Sequence, residues 1–264
     1  MKVAAYQTPL LAVGSMDGLG LIAEQVRVCE SLGVEILCCP EAVLGGLADN
    51  GGRPSDIAID VPSGRLQSVL APIASQTVTT IVGFTELDPS GGLFNSAAVF
   101  SKGEVVGVYR KLHPAINRSV YEPGRGASIF KVGGLIFGIV ICRDSTYPAP
   151  AQIMASQGAT VLFVPTNNAL APAKAGVEVV EHARTTDVSR ARENAVWVIR
   201  ADVAGEVDGL VSYGSSGIVD RDGTVLQGAK QLEPDLLIAD VPISSDRTGE
   251  NRSNIQMEPT RAGL

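Results

Sequence analysis

Short runs of apolar residues, broken by turns, dominate the chain and predict more strands than helices. Residues 2–7 predict a first strand and residues 34–39 a buried strand, and between them Ile22, Val26 and Cys29 recur at helical spacing. Gly33 then provides a C-terminal stop for that helix. Further helices are predicted near residues 65–76, 148–157 and 177–194. Further strands are predicted at residues 77–84, 94–100, 104–109, 128–132, 135–141, 159–164, 195–201, 217–220, 224–226 and 236–241.

The order of these elements predicts the fold class. Strands and helices interleave, with hairpins added around 101–103 and 133–134, so helices should cover the sheets in a layered α/β or α+β architecture. No repeat or linker divides the sequence, which predicts one domain over residues 1–264. The segment from about residue 242 is polar, and we expect a tail that is either frayed or docked on a partner subunit.

Composition narrows the classes of function. The chain has 264 residues, of which 45% are hydrophobic, so it can bury a large core. Its formal net charge of -7 offers no electrostatic footprint for nucleic acid or an anionic membrane, and a small-molecule partner is expected instead. The apolar run 132–142 is far shorter than a membrane span, and the N-terminal stretch does not resemble a signal peptide. These features favour a cytoplasmic protein with no membrane partner.

The cysteines and histidines argue against a metal or disulfide framework. The four cysteines include no Cys-x-x-Cys spacing, and the sequence contains only two histidines. We therefore expect no metal site.

Three residues with catalytic chemistry follow predicted strand ends. Glu41 comes after the strand 34–39 and Pro40, Lys111 after the strand 104–109, and Cys142 after the strand 135–141. Open α/β sheets bind ligands beyond the carboxyl ends of their strands. Taken alone, each residue is more often structural, since cysteine is commonly buried and charged side chains are commonly solvated. Together, a thiol nucleophile, a carboxylate for proton transfer and an ammonium for the oxyanion meet the requirements of amide cleavage.

The residues around these three strengthen that interpretation. Cys-Pro-Glu at 39–41, Tyr-Arg-Lys-Leu-His at 109–113 with Glu-Pro-Gly at 122–124, and Gly-Ile-Val-Ile-Cys-Arg-Asp at 138–144 resemble the three signature segments of the carbon–nitrogen hydrolase (nitrilase-like) family. Three motifs in the family's order are more specific than any one of them. Asn-Ser-Ala at 95–97 and Arg-Ala-Arg-Glu-Asn-Ala at 190–195 extend the resemblance, which covers roughly residues 2–241.

The resemblance implies a four-layer αββα sandwich, a catalytic set of Glu41, Lys111 and Cys142, no cofactor, and frequent assembly into homodimers or larger homo-oligomers. It also implies that the backbone N–H of Arg143 joins Lys111 in the oxyanion site, and that Asn167 lies in the substrate pocket.

Two positions depart from the family pattern. Asn117 stands where many members carry a second glutamate, and Ala149 stands where a glutamate commonly follows the proline of the cysteine segment. Asn117 can still accept a hydrogen bond from Lys111, although it adds no negative charge. Both changes affect the expected substrate more than the expected nucleophile.

Several functional alternatives remain open from the sequence. Amides, N-carbamoyl compounds and nitriles all suit the three-residue chemistry, and we favour a small carboxamide that releases ammonia. Residues 18–23 fit a Gly-x-Gly-x-x-Ala dinucleotide fingerprint, although ten or so residues separate them from the first strand. A third alternative is a catalytically inert binding protein on the same fold, which the Asn117 and Ala149 departures suggest.

Overall fold

Two β-sheets packed face to face form the centre of the molecule in the computed structural model, which describes residues 1–51, 53–114 and 119–243. The helices are α1 Gly18–Leu32, α2 Pro54–Ile57, α3 Arg65–Leu70, α4 Pro148–Ser156 and α5 Val177–Asn194. The strands are β1 Lys2–Pro9, β2 Ile36–Cys38, β3 Ile59–Asp60, β4 Thr79–Leu87, β5 Leu93–Ser101, β6 Glu104–Arg110, β7 Ile129–Val132, β8 Leu135–Ile139, β9 Val161–Pro165, β10 Trp197–Ala201, β11 Val203–Val207, β12 Leu210–Ser212, β13 Gly217–Val219, β14 Val225–Gly228 and β15 Asp235–Asp240.

The strand order of each sheet places parallel strands in the middle. Among the described residues the first sheet runs β12-β11-β1-β2-β4-β5-β6, with β15 also paired to β1 and β3 to β4. The second sheet runs β14-β13-β10-β9-β8-β7. In the first sheet β11, β1, β2 and β4 are parallel, and in the second sheet β8, β9 and β10 are parallel. Antiparallel neighbours flank both groups. The parallel strands β2 and β8 therefore end where the loops carrying Glu41 and Cys142 begin.

Helices cover the outer faces of both sheets. Ile22 and Val26 of α1 and Leu66 of α3 are buried in one apolar cluster with side chains of the first sheet. The second cluster lies between the sheets and continues to Met154 of α4 and Ala191 of α5. Helix, sheet, sheet and helix thus form four layers, and the expected αββα sandwich is confirmed.

Several local predictions are confirmed at the level of backbone geometry. The helix predicted at 177–194 has those bounds, and α1 ends at Gly33, which adopts a left-handed conformation with φ 69°. The strands β7 and β8 are joined by Gly133 and Gly134, with φ of 53° and 91°. Paired positive φ values are typical of the tight hairpin turn that the double glycine predicts.

One prediction was wrong in extent, and one hairpin was not predicted. The helix predicted over 65–76 is α-helical only to Leu70 and continues as one 3-10 turn over Ala71–Ile73, because Pro72 has no N–H to donate to the preceding turn. The hairpin of β11 and β12 was not predicted. Its turn is Asp208-Gly209, both with positive φ, and this Asp-Gly pair was the available sequence signal.

The described part of the chain contains no helix of the length and apolar character required to cross a bilayer. The C-terminal segment is described only to residue 243, so most of the expected tail lies outside the described residues.

Candidate active site

Three loops bring Glu41, Lys111 and Cys142 to one cavity. The loops follow β2, β6 and β8, and the cavity has a volume of about 250 Å³ between the described residues. The remaining lining residues are Leu47, Asp49, Asn50, Asn95, Pro114, Tyr121, Arg143, Asn167, Asn168, Ala169 and Leu170. The structure therefore joins the three residues that the sequence placed at separate strand ends.

Glu41 and Lys111 form a buried ion pair at the base of this cavity. The distance from Lys111 Nζ to Glu41 Oε1 is 2.6 Å, and the two residues are 7% and 1% exposed respectively. Asn95 Nδ2 donates to the same oxygen at 2.7 Å, and the backbone N–H of Asn167 donates to Oε2 at 3.0 Å. Three donors thus satisfy and orient the Glu41 carboxylate despite its burial.

The backbone of Glu41 is fixed by contacts to both sheets. Its N–H donates to Thr166 O at 3.2 Å, which links the loop after β2 to the end of β9. On the opposite side lies Gly83 of β4, where any side chain would collide with Pro40 O and Ala42 N. Gly83 therefore permits the close approach that brings the Glu41 loop over the first sheet.

Lys111 is held through its backbone on either side. Its N–H donates to Asn95 O and its carbonyl accepts from Gly124 N–H, both at 2.8 Å. Burial opposes the charged form of the ammonium, but the Glu41 carboxylate outweighs it, and the pKa of Lys111 lies above its usual value. Lys111 therefore remains a cation in the cavity that Cys142 also lines.

Cys142 occupies a strained position at the start of a 3-10 turn, Cys142–Thr146. Its φ is 44°, in the left-handed region that costs a residue with a side chain about 1–2 kcal/mol. Ser145 Oγ donates to the Cys142 carbonyl at 2.7 Å and helps to hold this conformation. Strained backbone of this kind is concentrated at functional sites.

The surroundings of Cys142 favour the protonated form of its thiol. Burial raises its pKa to about 12, and the Glu41 carboxylate adds to the rise, whereas Lys111 and Arg200 oppose it. The thiol donates to Asn168 Oδ1 across 3.8 Å. Nucleophilic attack thus needs a base, and the nearby Glu41 carboxylate is a group of the right kind.

Asp144 ties the lysine loop to the cysteine loop. Its carboxylate accepts from Tyr109 Oη at 2.7 Å, from the backbone N–H groups of His113 at 2.7 Å and Leu112 at 3.2 Å, and from Ile141 N–H at 3.3 Å. Asp144 therefore orients the loop that carries Cys142 through direct hydrogen bonds. The same carboxylate also fixes the backbone directly after Lys111.

Of the other residues that the sequence analysis singled out, some line the cavity and others do not. Asn167 lines it, although its contact to Glu41 is made by the backbone N–H, while its side-chain Oδ1 accepts from Ala169 N–H at 3.2 Å. Arg143 also lines the cavity, and its guanidinium donates to Tyr147 Oη at 3.2 Å. Asn117 lies outside the described residues. Ala149 is exposed in the first turn of α4, away from the residues that line the cavity.

Sequence reasoning missed the groups behind Cys142. Arg200 lies in β10, Asp202 directly after it, and Ser215 in the loop before β13. The cysteine turn, Cys142–Thr146, is contacted by Arg200 through Ser145. Asp202 and Ser215 contact Asn168, which bonds to Cys142. Asn168 had an available signal, because it directly follows Asn167 at the end of a predicted strand. The others had none, since their contacts depend on how the two sheets pack.

The glycine fingerprint at 18–23 has a structural explanation. Gly18 and Gly20 lie inside α1 rather than in a loop between strand and helix, and a side chain at Gly18 would collide with the Val43 backbone. Gly18 thus allows α1 to pack closely against the Val43 backbone.

Within residues 1–51, 53–114 and 119–243, no group of three or more His, Cys, Asp or Glu residues is placed to hold a metal ion.

The fold and the site together define a class of protein. The αββα sandwich places a thiol, a carboxylate and an ammonium in one cavity at its strand ends. The family model for carbon-nitrogen hydrolases matches residues 2–248, and the chain belongs to that family. It is an amidohydrolase acting on carbon–nitrogen bonds other than peptide bonds.

Individual relatives differ in their named activities. The chain is 30% identical to a nitrilase from Pyrococcus abyssi over 190 residues, which cover 71% of this chain and 69% of that protein. It is 27% identical to a glutamine-dependent NAD(+) synthetase from Thermotoga maritima over 89% of its own length but only 41% of that protein. An amidase structure from Nesterenkonia sp. superimposes with a TM-score of 0.74 at 22% identity, covering 92% of this chain and 90% of that one.

Proposed function

We propose that Cys142, Glu41 and Lys111 are the catalytic residues, and that the enzyme cleaves a small carboxamide through a thioester and releases ammonia. The observation that carries this proposal is the buried Glu41–Lys111 pair, 2.6 Å apart, in the same cavity as the Cys142 thiol. A carboxylate held by three donors, in the same cavity as a thiol, can accept the thiol proton.

Acylation begins when Cys142 Sγ attacks the amide carbon and forms the S–C bond. The thiol proton passes to Glu41, and the negative charge that develops on the substrate oxygen is stabilised by Lys111 Nζ and the backbone N–H of Arg143. The nitrogen then takes the proton from Glu41 as the C–N bond breaks. Ammonia leaves, and the acyl group remains on Cys142 as a thioester.

Hydrolysis of the thioester uses the same residues in reverse. Glu41 takes a proton from a water molecule, and the resulting hydroxide attacks the thioester carbon. Lys111 again stabilises the oxyanion until the S–C bond breaks. The proton on Glu41 returns to the sulfur, and the carboxylic acid product leaves.

The size of the cavity supports a small substrate. Pockets for drug-sized ligands have volumes of about 300–1,000 Å³, whereas this one has about 250 Å³. Glu41, Lys111, Asp49 and Arg143 contribute two acidic and two basic side chains to the lining, so polar substrates fit it better than hydrocarbon ones. N-carbamoyl compounds and nitriles remain alternative substrates for the same three residues.

An ammonia-release screen over simple amides, ureido acids and nitriles tests the proposal. We expect wild-type protein to release ammonia from at least one small carboxamide and the Cys142→Ala variant to release none. The matched control is Cys29→Ala, which alters a buried thiol of α1 and should keep full activity per folded molecule. Equal ammonia release by wild type and Cys142→Ala would contradict the proposal, and turnover of ureido acids or nitriles alone would correct the substrate class.

The assembly of the protein is a separate expectation. We infer a homodimer or higher homo-oligomer from the family resemblance, and light scattering of the purified chain measures it. A monomer at micromolar concentration would reject this inference without affecting the catalytic proposal.

A further inference from the structure

The side chain of Asn168 connects the Cys142 thiol to a buried carboxylate that the proposed reaction does not use. Asn168 Oδ1 accepts from Cys142 Sγ at 3.8 Å, while Asn168 Nδ2 donates to Asp202 Oδ2 at 3.2 Å and to Ser215 Oγ at 3.1 Å. Asn168 thus lies between the sulfur and the Asp202 carboxylate.

The hydrogen bonds behind Asn168 fix which end of its amide faces the sulfur. Ser215 donates its hydroxyl proton to Asp202 Oδ2 at 2.6 Å, which leaves the Ser215 oxygen as an acceptor for the Asn168 amide N–H. A flipped amide would place its oxygen against the Asp202 carboxylate and its NH₂ group against the thiol. The carbonyl oxygen is therefore the end that contacts Cys142.

Asp202 is itself held rigidly. It is fully buried where the chain passes from β10 in the second sheet to β11 in the first. The backbone N–H groups of Asn168, Ser215 and Val203 donate to it at 3.0, 3.0 and 2.8 Å. Five donors in total satisfy this carboxylate, and it does not line the active-site cavity. Its role is therefore to hold neighbouring groups.

We propose that Asn168 is a positioning residue for Cys142, and that Asp202 and Ser215 fix its amide so that the oxygen holds the resting thiol. This inference rests on the proposed role of Cys142 as nucleophile. A carbonyl oxygen accepts a hydrogen bond from a thiol but repels a thiolate. Asn168 consequently orients the sulfur and keeps it protonated until Glu41 takes the proton. Because the backbone of Asn167 holds Glu41, one dipeptide positions both reacting groups.

The pH dependence of Cys142 alkylation by iodoacetamide measures this role. In Asn168→Ala the sulfur loses its acceptor, and we expect the alkylation midpoint to shift to lower pH, with about tenfold faster alkylation near neutral pH for a shift of one unit. The kcat for a carboxamide should fall about tenfold while KM changes little, because Asn168 contacts the sulfur. Asp202→Asn and Ser215→Ala should move the midpoint in the same direction by smaller amounts. Asn194→Ala, at the end of α5, is the matched control and should leave the midpoint unchanged.

Peptide mapping of the alkylated protein separates positioning from loss of structure. A general loosening would expose the buried thiols of Cys29, Cys38 and Cys39, whereas the proposal predicts that these stay unreactive in every variant. An unchanged Cys142 midpoint in folded Asn168→Ala overturns the inference, as does a midpoint shift accompanied by reaction of the buried thiols. If Asn168→Ala does not fold, Ser215→Ala supplies the same test. Failure of the proposed function itself would appear differently, as unaltered ammonia release by Cys142→Ala.

Discussion

Two ion pairs are buried among the described residues, and their surroundings separate a proposed catalytic role from a structural one. Lys111 and Glu41 approach to 2.6 Å, and Arg200 and Asp187 to 2.5 Å. All four side chains are at least nine-tenths buried. Judged by burial and charge pairing alone, either pair could belong to an active site.

The surroundings of the two pairs differ in access. The Glu41–Lys111 pair opens into the cavity that also holds the Cys142 thiol. The Arg200 guanidinium is enclosed, and beyond its Asp187 partner it donates to Thr166 Oγ1 at 2.7 Å and Ser145 Oγ at 3.0 Å. The hydrogen bond from Arg200 to Ser145 connects the Arg200–Asp187 pair to the turn that carries Cys142. A buried ion pair therefore marks an active site only where a reacting group and space for substrate adjoin it.

The largest effect on catalysis is expected for the pair that faces the cavity. Lys111→Met should lower kcat/KM by roughly 10³-fold, because the oxyanion and the Glu41 carboxylate both lose their cation. Glu41 keeps its bonds from Asn95 and from the Asn167 N–H, so the variant should remain folded. Steady-state kinetics with circular dichroism checks this. Activity within tenfold of wild type would remove the distinction between the two pairs.

The largest effect on stability is expected for the enclosed pair. Arg200→Met leaves the fully buried Asp187 carboxylate without its cation, which should lower the free energy of unfolding by about 3–5 kcal/mol. Urea denaturation of this variant beside Lys111→Met measures the contrast. We expect that Arg200→Met loses more stability and that Lys111→Met loses more activity per folded molecule. The reverse order would contradict the roles assigned to the two pairs.

Smaller losses of stability and activity are expected when the close backbone contact between Gly83 and the Glu41 loop is disturbed. Gly83→Ala places a methyl group against Pro40 O and Ala42 N, and it should cost about 1–3 kcal/mol of stability and displace Glu41. Gly20→Ala is the matched control, since its added methyl group meets open space on α1 and should be neutral or slightly stabilising. Calorimetry and activity assays compare the two. A displaced Glu41 would lower activity in Gly83→Ala alone, and equal behaviour of both variants would contradict this explanation.

The smallest expected effect is that of Cys142 on the pH dependence of stability. The pKa of Cys142 is about 12 in the folded protein against an ordinary value of 9.0. The unfolded chain therefore releases this proton first, so the contribution of the folded thiol is complete below pH 9 and is lost as the pH rises towards 12. Stability measured across this range should fall less steeply in Cys142→Ala than in wild type. Identical slopes would show that Cys142 does not titrate as its surroundings require.

The residues of one ion pair could be predicted from the sequence, and those of the other could not. Glu41, Lys111 and Cys142 could be found because each follows a strand end and carries recognisable neighbours. Arg200 and Asp187 carried no such signal: one lies in a buried strand and the other on a helix, and their pairing depends on how α5 packs on the second sheet.

The same limit applies to the fold. Alternation and turn residues predict β7, β8 and their double-glycine turn, because these features are local. The passage from β10 to β11 between two sheets at Asp202 is not local, and neither is the contact of Asn168 with Cys142 that depends on it. Sequence reasoning therefore identifies the proposed reacting groups better than the groups that hold them in position.

Mass spectrometry of the enzyme, quenched by acid during turnover of a small carboxamide, shows directly which residue carries the acyl group. We expect an added mass equal to the substrate minus ammonia, located on the peptide that contains Cys142 and absent from Cys142→Ala. An adduct on Cys29, Cys38 or Cys39, or continued ammonia release by Cys142→Ala, would contradict the claim that Cys142 is the nucleophile of this site.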